Sequence, residues 1–531
     1  MSRRADGQLR GVRNGTLTAL LLATLAAGAW ACQSESRSTA ARKSTLTILY
    51  DGCERCWGDV NRFMLFSPLV AEEGPLHGGQ PRPALAERWE HSPDYREWTI
   101  HLRSGVRWDD GQPLTAHDIK FDVDLWRRPD VAHPGGAGID SLVVIDSLTY
   151  RVFYSRPSAE PLNGWDVFYP KHKLETLDPK SYFNWDFWSH PVGSGPFRYV
   201  RHVSATLLEV EANPLFFGDK PKIDRVVLKF GPPSVADLLS GQVDAVHDIA
   251  QSMVPKLKGD SRFRVYYQWI PYARVQLFWN EGNPLFRDVA VRRALTMAID
   301  RKVLHQVLDL PADIPLTDGL FTARQFERGE LMPAVPYDSA GAAALLRADG
   351  WRSRSAGGPL ERNGRPFRFG LIVPNGAWLG EPSKSAVFIQ DQLRRIGVLM
   401  DIQPLDPTLV NERLLAGKFD AAIYMSNGSP ARDAALFGEK SPLGYHNAEM
   451  IQLLDSSRQI ADPDALDAIY ARMSVVFHAD LPAMFLYPKI STHVAHRRVR
   501  GLSGPYHADP IWFAKDLWLD DEGRPAPKRK P

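Results

Sequence analysis

Between residues 288 and 308 the chain carries its strongest helical signal, broken in the middle by an aspartate. Val291, Leu295, Ala298 and Ile299 recur at the spacing of one helix face, Arg292 and Arg293 point elsewhere, and Asp300 is placed to cap a second helix carrying Val303, Leu304 and Val307. Two abutting helices are expected. Residues 46–50 (LTILY) alternate branched and polar side chains and stop at Asp51-Gly52, which reads as a strand running into a turn. Residues 340–346 and 389–396 read as helices, and residues 419–424 as a buried strand following one. Strand-period and helix-period segments alternate along the chain, so the expected fold class is α/β.

The N-terminus carries an export pattern, so this material is expected outside the cytoplasm. Arg3, Arg4, Arg10 and Arg13 precede an uncharged Leu/Ala-rich run over residues 17–27 that ends in small residues, the pattern of a signal peptide over residues 1–31. The run is shorter than the roughly 20 apolar residues that a spanning helix wants. Ala29-Trp30-Ala31-Cys32 reads either as an Ala-x-Ala cleavage site or as a lipobox in which Cys32 is lipidated, with Trp30 standing where a lipobox normally has a small residue. Residues 32–43 are small and polar, as a flexible tether should be. The formal charge of the whole chain is +2, and removing the leader's four arginines and Asp6 leaves about −1. A near-neutral surface offers no electrostatic footprint for nucleic acid. With 44% hydrophobic and 10% aromatic residues, the remainder is ordinary globular material, long enough for two or three domains.

Further along, residues 98–102 and 106–108 alternate with period two around Ser104-Gly105, and Asp109-Asp110-Gly111 then makes a tight turn, which together predict a short hairpin. Thr115 stands three residues before Asp118 in a capping-box arrangement, predicting a helix from residue 116 to about 126. In residues 191–197 (PVGSGPF) two glycines and two prolines around a serine demand a sharp, fixed backbone before a new strand. The chain holds three cysteines, two of them in the Cys53-Glu54-Arg55-Cys56 pair. That spacing serves dithiol exchange, half of a zinc site or a small staple equally well. Glu54 disfavours a thiolate, and no thioredoxin-like pattern surrounds the pair. No phosphate loop, His-Glu-x-x-His zinc helix or Gly-x-Ser-x-Gly elbow is present, so the chain is expected not to be an enzyme and to need no cofactor or metal.

Six segments in order carry a resemblance: residues 85–89 (LAERW), 98–118 (WTIHLRSGVRWDDGQPLTAHD), 193–197 (GSGPF), 241–244 (GQVD), 286–301 (FRDVAVRRALTMAIDR) and 481–487 (LPAMFLY). Together they resemble the extracellular solute-binding proteins of family 5, the dipeptide, oligopeptide and nickel receptors of ABC importers. The resemblance implies a periplasmic-binding-protein fold, with two α/β lobes joined by a hinge and an extra subdomain in the first. Transferred here, lobe I would take residues 44–270 with a subdomain near 75–185, lobe II residues 271–489, and residues 490–531 would return to lobe I. The implied function is capture of a solute, foremost a peptide, and its delivery to a separate permease and ATPase by a monomer held to the membrane through a lipid at most. The alternatives are nickel complexes or oligosaccharides on the same fold, or an exported thiol-disulfide protein using Cys53 and Cys56.

Peptide receptors of this family commonly pair the peptide's amino group with a carboxylate in a second-lobe loop, here residues 425–433 (MSNGSPARD). The usual early aspartate is absent, which leaves Asp433 as the acid, Arg432 as a fork for a carboxylate and Asn427 as an adaptable partner. Tyr50, Asp51, Trp57, Tyr272, Trp279 and Tyr445 complete the candidates that this fold would bring near a cleft. If Cys32 is consumed by lipid, an oxidising compartment would pair Cys53 with Cys56 as a staple beside the first strand.

Overall fold

The computed structural model describes residues 44–50, 60–71, 82–131, 133, 138–158, 167–203, 206–355, 357–375, 381–426, 430–504 and 508–520. A ten-stranded sheet runs through them. Its order is Leu399–Leu405, Arg368–Pro374, Ala421–Ser426, Phe263–Trp279, Ala483–His496, Ala245–Val246, Thr45–Tyr50, Arg225–Phe230, Leu207–Ala212 and Phe197–Val203. Two long strands form its centre: Phe263–Trp279 pairs antiparallel with Ala483–His496, from Phe263 opposite His496 to Phe278 opposite Ala483. The ladder breaks between Ile270 and Arg274, where residues 271–273 have no opposite number. Such an insertion bends a strand and raises its local twist, so each long strand belongs to two half-sheets with separate cores.

On one side of the break lies a core built from Leu46, Ile48, Val226, Leu228 and Ala495; on the other lies one built from Val275, Leu277, Val291, Leu295, Leu371 and Ile423. The two-lobed α/β architecture follows from this division. Within the second half the expected helix pair is present as Val289–Met297 and Arg301–Val307, capped by Asp288 and Asp300, whose side chains accept the N–H groups of Ala290 and Val303. Val291, Leu295, Ala298 and Ile299 are all buried. Arg292, off that apolar face, is buried as well. Its guanidinium donates to the carbonyls of Phe286 (2.7 Å) and Asp480 (2.6 Å) and pairs with Glu281 at 3.1 Å, so the positive charge is consumed in tying this helix to neighbouring chain segments. The other expected elements appear as Ser339–Ala348, Pro382–Arg395 and Ala421–Ser426.

A separate four-stranded antiparallel sheet has the order Ala86–His91, Glu97–Leu102, Thr149–Tyr154 and Ile139–Asp146. This corrects the hairpin reading of residues 98–108. The strand around Trp98–Leu102 pairs with residues 86–91 and 149–153 instead, and residues 106–113 close on themselves through the Arg107–Pro113 bridge and the turn at Gly111. Alternation identified the strand but could not choose its neighbour, because period two states which face is buried and not which chain lies beside it. Helix Ala116–Trp126 is closed by the Thr115/Asp118 capping box, with Asp118 accepting the Thr115 N–H at 2.9 Å.

The Gly-Ser-Gly segment shows why its glycines are there. Gly195 N–H donates to the Leu65 carbonyl at 2.8 Å, and a Cβ at Gly193 or Gly195 would overlap the backbone carbonyls of Leu65 and Met64. Absence of a side chain, rather than an unusual φ, is what this packing requires. Among the described residues no helix is long and apolar enough to cross a membrane. Residues 1–43, with Cys32, and residues 51–59, with Cys53 and Cys56, lie outside the described residues.

Candidate ligand-binding cleft

Two sets of parallel strands aim at the break in the central ladder. Thr45–Tyr50 runs parallel with Arg225–Phe230 and Ala245–Val246, while Arg368–Pro374 runs parallel with Leu399–Leu405 and Ala421–Ser426. The first set ends with Val246 opposite Val494, which itself faces Val265; the second ends with Ser426 opposite Arg274. Between Val265 and Arg274 the long strand spans about 30 Å at roughly 3.3 Å per residue. Carboxyl ends of strands in open α/β sheets are where ligands bind, because loops there are free to shape a crevice. Here two such edges face each other across the hinge.

The first-lobe edge is polar and buried. Tyr50, at its strand's end and 6% exposed, meets the His247 ring edge-on at 4.9 Å and Phe230 at 6.0 Å. His247 Nε2 lies 3.1 Å from Asp509 Oδ2, and His493 Nε2 lies 4.0 Å from the same oxygen. Although His247, His493 and Asp509 have the residue types of a metal site, the Asp248 N–H donates to His493 Nδ1 at 3.2 Å, which puts the neutral ring's proton on Nε2. Metal-bound histidines have the reverse arrangement, donating from the second nitrogen. His247 is hydrogen-bonded to Asp509, whereas His493 Nε2 has no hydrogen-bond partner among the described residues and, carrying the proton, presents no lone pair to an ion, so the trio is not a preformed metal cage. Burial pushes the His493 imidazole down to about 4, and Asp509, which burial alone would raise, is held at about 2 by the two facing histidines and the N–H of Ile511. Asp248 occupies left-handed backbone, with φ of 50°, and its carboxylate accepts the Thr492 N–H at 3.3 Å. An outlier of this kind, at a strand end beside a hinge, marks a position that the surrounding structure holds in place.

At the second-lobe edge the structure gives Asp433 an internal partner. Arg274 Nη2 donates to both carboxylate oxygens, at 2.8 and 3.0 Å, the Tyr470 hydroxyl donates to Oδ2 at 3.2 Å, and Arg274 and Asp433 are both 0% exposed. Burial and the adjacent Asp433 push the Tyr470 phenol well above its ordinary value, so it remains a donor. Asp433 was expected to face a ligand's ammonium; the structure neutralises it with a guanidinium instead. Arg274 Nε and Nη1 are buried without any hydrogen-bond partner, as is Gln276 Nε2, whose amide oxygen accepts from Ser426 Oγ at 3.5 Å. The Phe321 ring lies 5.2 Å from the Arg274 guanidinium carbon.

Two aromatic candidates are placed elsewhere. Trp279 is fully buried, tilted against Phe286 (5.2 Å) and edge-on to Phe369 (6.3 Å), at the end of its own strand opposite Ala421, the first residue of the neighbouring strand. Tyr445, 3% exposed, donates its hydroxyl to Asp480 at 2.8 Å on that same far side of the lobe. Both are core groups: Trp279 sits at the end of its strand away from the hinge, and Tyr445 is packed among Phe437 and its neighbours in the core beside that end. Arg432 Nη2 donates to Asn411 Oδ1 at 3.3 Å. Asp51, Trp57 and Asn427 lie outside the described residues, and the Tyr272 side chain is likewise not described.

Arg274, Gln276, Tyr470, His247, His493 and Asp509 were not anticipated. One signal was available: Arg274 and Gln276 stand at alternate positions in the otherwise apolar run of residues 273–279 (ARVQLFW), so a buried strand places a charge and an amide on one face. The partners Asp433 and Tyr470 lie far away in sequence, and only the fold brings them together.

A family profile described as bacterial extracellular solute-binding proteins, family 5 Middle, matches residues 80–440. The oligopeptide-binding protein AppA of Bacillus subtilis is 26% identical over 444 residues, 80% of each chain. The periplasmic oligopeptide-binding protein OppA of Haemophilus influenzae is 23% identical over 503 residues, covering 86% of this chain and 88% of that one. Among solved structures, the ABC transporter substrate-binding protein CtaP of Listeria monocytogenes superposes with a TM-score of 0.75 at 20% identity, over 90% of this chain and 99% of that one.

Proposed function

The chain belongs to the bacterial extracellular solute-binding proteins of family 5, and we propose that it is the substrate-binding component of an ABC importer that captures a peptide between its lobes. The observation that carries this reading is the convergence of two sets of strand carboxyl ends on the break in the two long strands. A ligand touching both edges favours the closed arrangement by its differential contacts, which is the form that a permease would recognise. The peptide class is supported by the relatives AppA and OppA, both oligopeptide-binding proteins.

In this reading lobe I comprises residues 44–270 and 490–531 with a subdomain near 75–185, and lobe II comprises residues 271–489. The protein works outside the cytoplasmic membrane as a monomer, tethered through a lipid on Cys32, and performs no chemistry on its cargo. Tyr50 and Arg274 line the two edges, and Cys53 and Cys56 form a staple beside the first. The test is a thermal-shift screen with di- to hexapeptides on the mature chain. A binder at a hundred times its Kd raises stability by about 2.7 kcal/mol, and small-angle scattering of the same complex shows a smaller radius of gyration. A folded protein whose melting temperature no peptide moves overturns the peptide assignment.

A further inference from the structure

The polar atoms left over at the second-lobe edge are donors, and the only acid among the described residues that contacts Arg274 is already used. Arg274 and Asp433 cancel each other's charge with no exposure to water. A ligand ammonium brought here would meet a guanidinium and find its natural partner occupied. A ligand carboxylate would meet Asp433 across the same guanidinium. The group that this edge suits is uncharged and accepts hydrogen bonds. Three N–H bonds of Arg274, on Nε and Nη1, and those of Gln276 Nε2 have no acceptor among the described residues, and buried donors of that kind are normally matched. Arg274 and Gln276 project from the same face of their strand, paired with Ser426 and Tyr424. Phe321 lies against the guanidinium, and Tyr470 holds the Asp433 carboxylate that anchors it.

We propose that Arg274 and Gln276 form a subsite for a neutral oxygen acceptor, a carbonyl or hydroxyl of the solute, and that the solute's free amino group is not bound at this edge. Resting on the peptide reading above, the oxygen is a backbone carbonyl, and blocked or internal peptide segments are accepted as readily as free amino termini. Arg274 is thus a specificity-determining residue that replaces recognition of an ammonium by recognition of a carbonyl.

The experiment presents the mature chain with a library of tri- to hexapeptides in free and N-acetylated forms, and separately with malto-oligosaccharides, reading bound species by native mass spectrometry and Kd by calorimetry. The variant is Arg274→Lys, which keeps a cation against Asp433 but removes the guanidinium's fixed fork of donors. Acetylated peptides are expected to bind within about threefold of their free counterparts, and Arg274→Lys to weaken them about tenfold or more, the scale of a lost hydrogen bond, with Kd read at a temperature below the variant's own melting transition. Gln276→Leu gives a second, smaller loss in the same direction. Binding that acetylation abolishes, with Arg274→Lys having no effect, overturns the subsite and leaves the peptide reading standing. Oligosaccharide binding lost in Arg274→Lys, with no peptide bound, supports the subsite and ends the peptide reading. Binding of neither class overturns both.

Discussion

Removing a single charge at Arg274 or Asp433 should cost more than almost any other substitution in this chain. Both groups are fully buried and joined by two hydrogen bonds, so Asp433→Asn leaves a guanidinium in a dry site with half its partner gone. Breaking one member of a buried pair typically costs about 3–5 kcal/mol, whereas replacing both by neutral groups is far milder. Urea denaturation should show Asp433→Asn strongly destabilised and the double variant Arg274→Met/Asp433→Asn recovering most of the loss. Additive effects would mean that the two charges are not coupled. Elsewhere the same logic separates residues of one type: Arg292 spends its donors on backbone carbonyls and Glu281, while Arg274 retains donors that no atom of the described residues takes.

Among the elements, helix Ala116–Trp126 offers the cleanest link between a local signal and a local energy. Thr115→Ala removes one half of its capping box and should cost about 1 kcal/mol. Asp118→Ala should cost more, since its carboxylate accepts the N–H of Thr115 and also that of Lys171, each at 2.9 Å, and so holds the helix start to a distant segment. Equal losses for the two variants in chemical denaturation would contradict that second role. Caps and helix faces were legible because their partners lie within a turn or two. The neighbour of strand Glu97–Leu102 was not legible, since the choice between residues 106–108 and residues 86–91 is made by packing across the sheet.

For the whole molecule, stability should depend on pH through groups that the fold buries. His493 is held neutral down to about pH 4, whereas an unfolded imidazole takes its proton near 6.5. The unfolded state therefore binds the proton first, and stability falls as pH drops from about 6.5 to about 4. Asp509, held at about 2 against an ordinary 3.8, adds a further loss as pH falls through that lower window. Glu281 acts with the opposite sign: burial pushes it from 4.5 up to about 7, so the folded state keeps a proton that the unfolded state releases, and stability falls as pH rises between those values. Melting temperatures from pH 4 to 7.5 should show a shallower acid limb for His493→Asn than for the parent, and a smaller loss toward neutrality for Glu281→Gln. An unchanged acid limb in His493→Asn would remove that histidine from the account.

Sequence alone determined the class of the molecule, because alternating periods and helix caps are written in neighbouring residues. It also pointed to the family, since six short segments in one order are enough to specify a topology. The tertiary structure alone decided the site. Whether Asp433 would face a ligand or an arginine depended on a strand 159 residues away, and no local pattern records which buried charge finds which. The same holds for Trp279, whose aromatic character is local while its distance from the hinge is set by register along a strand shared by both lobes.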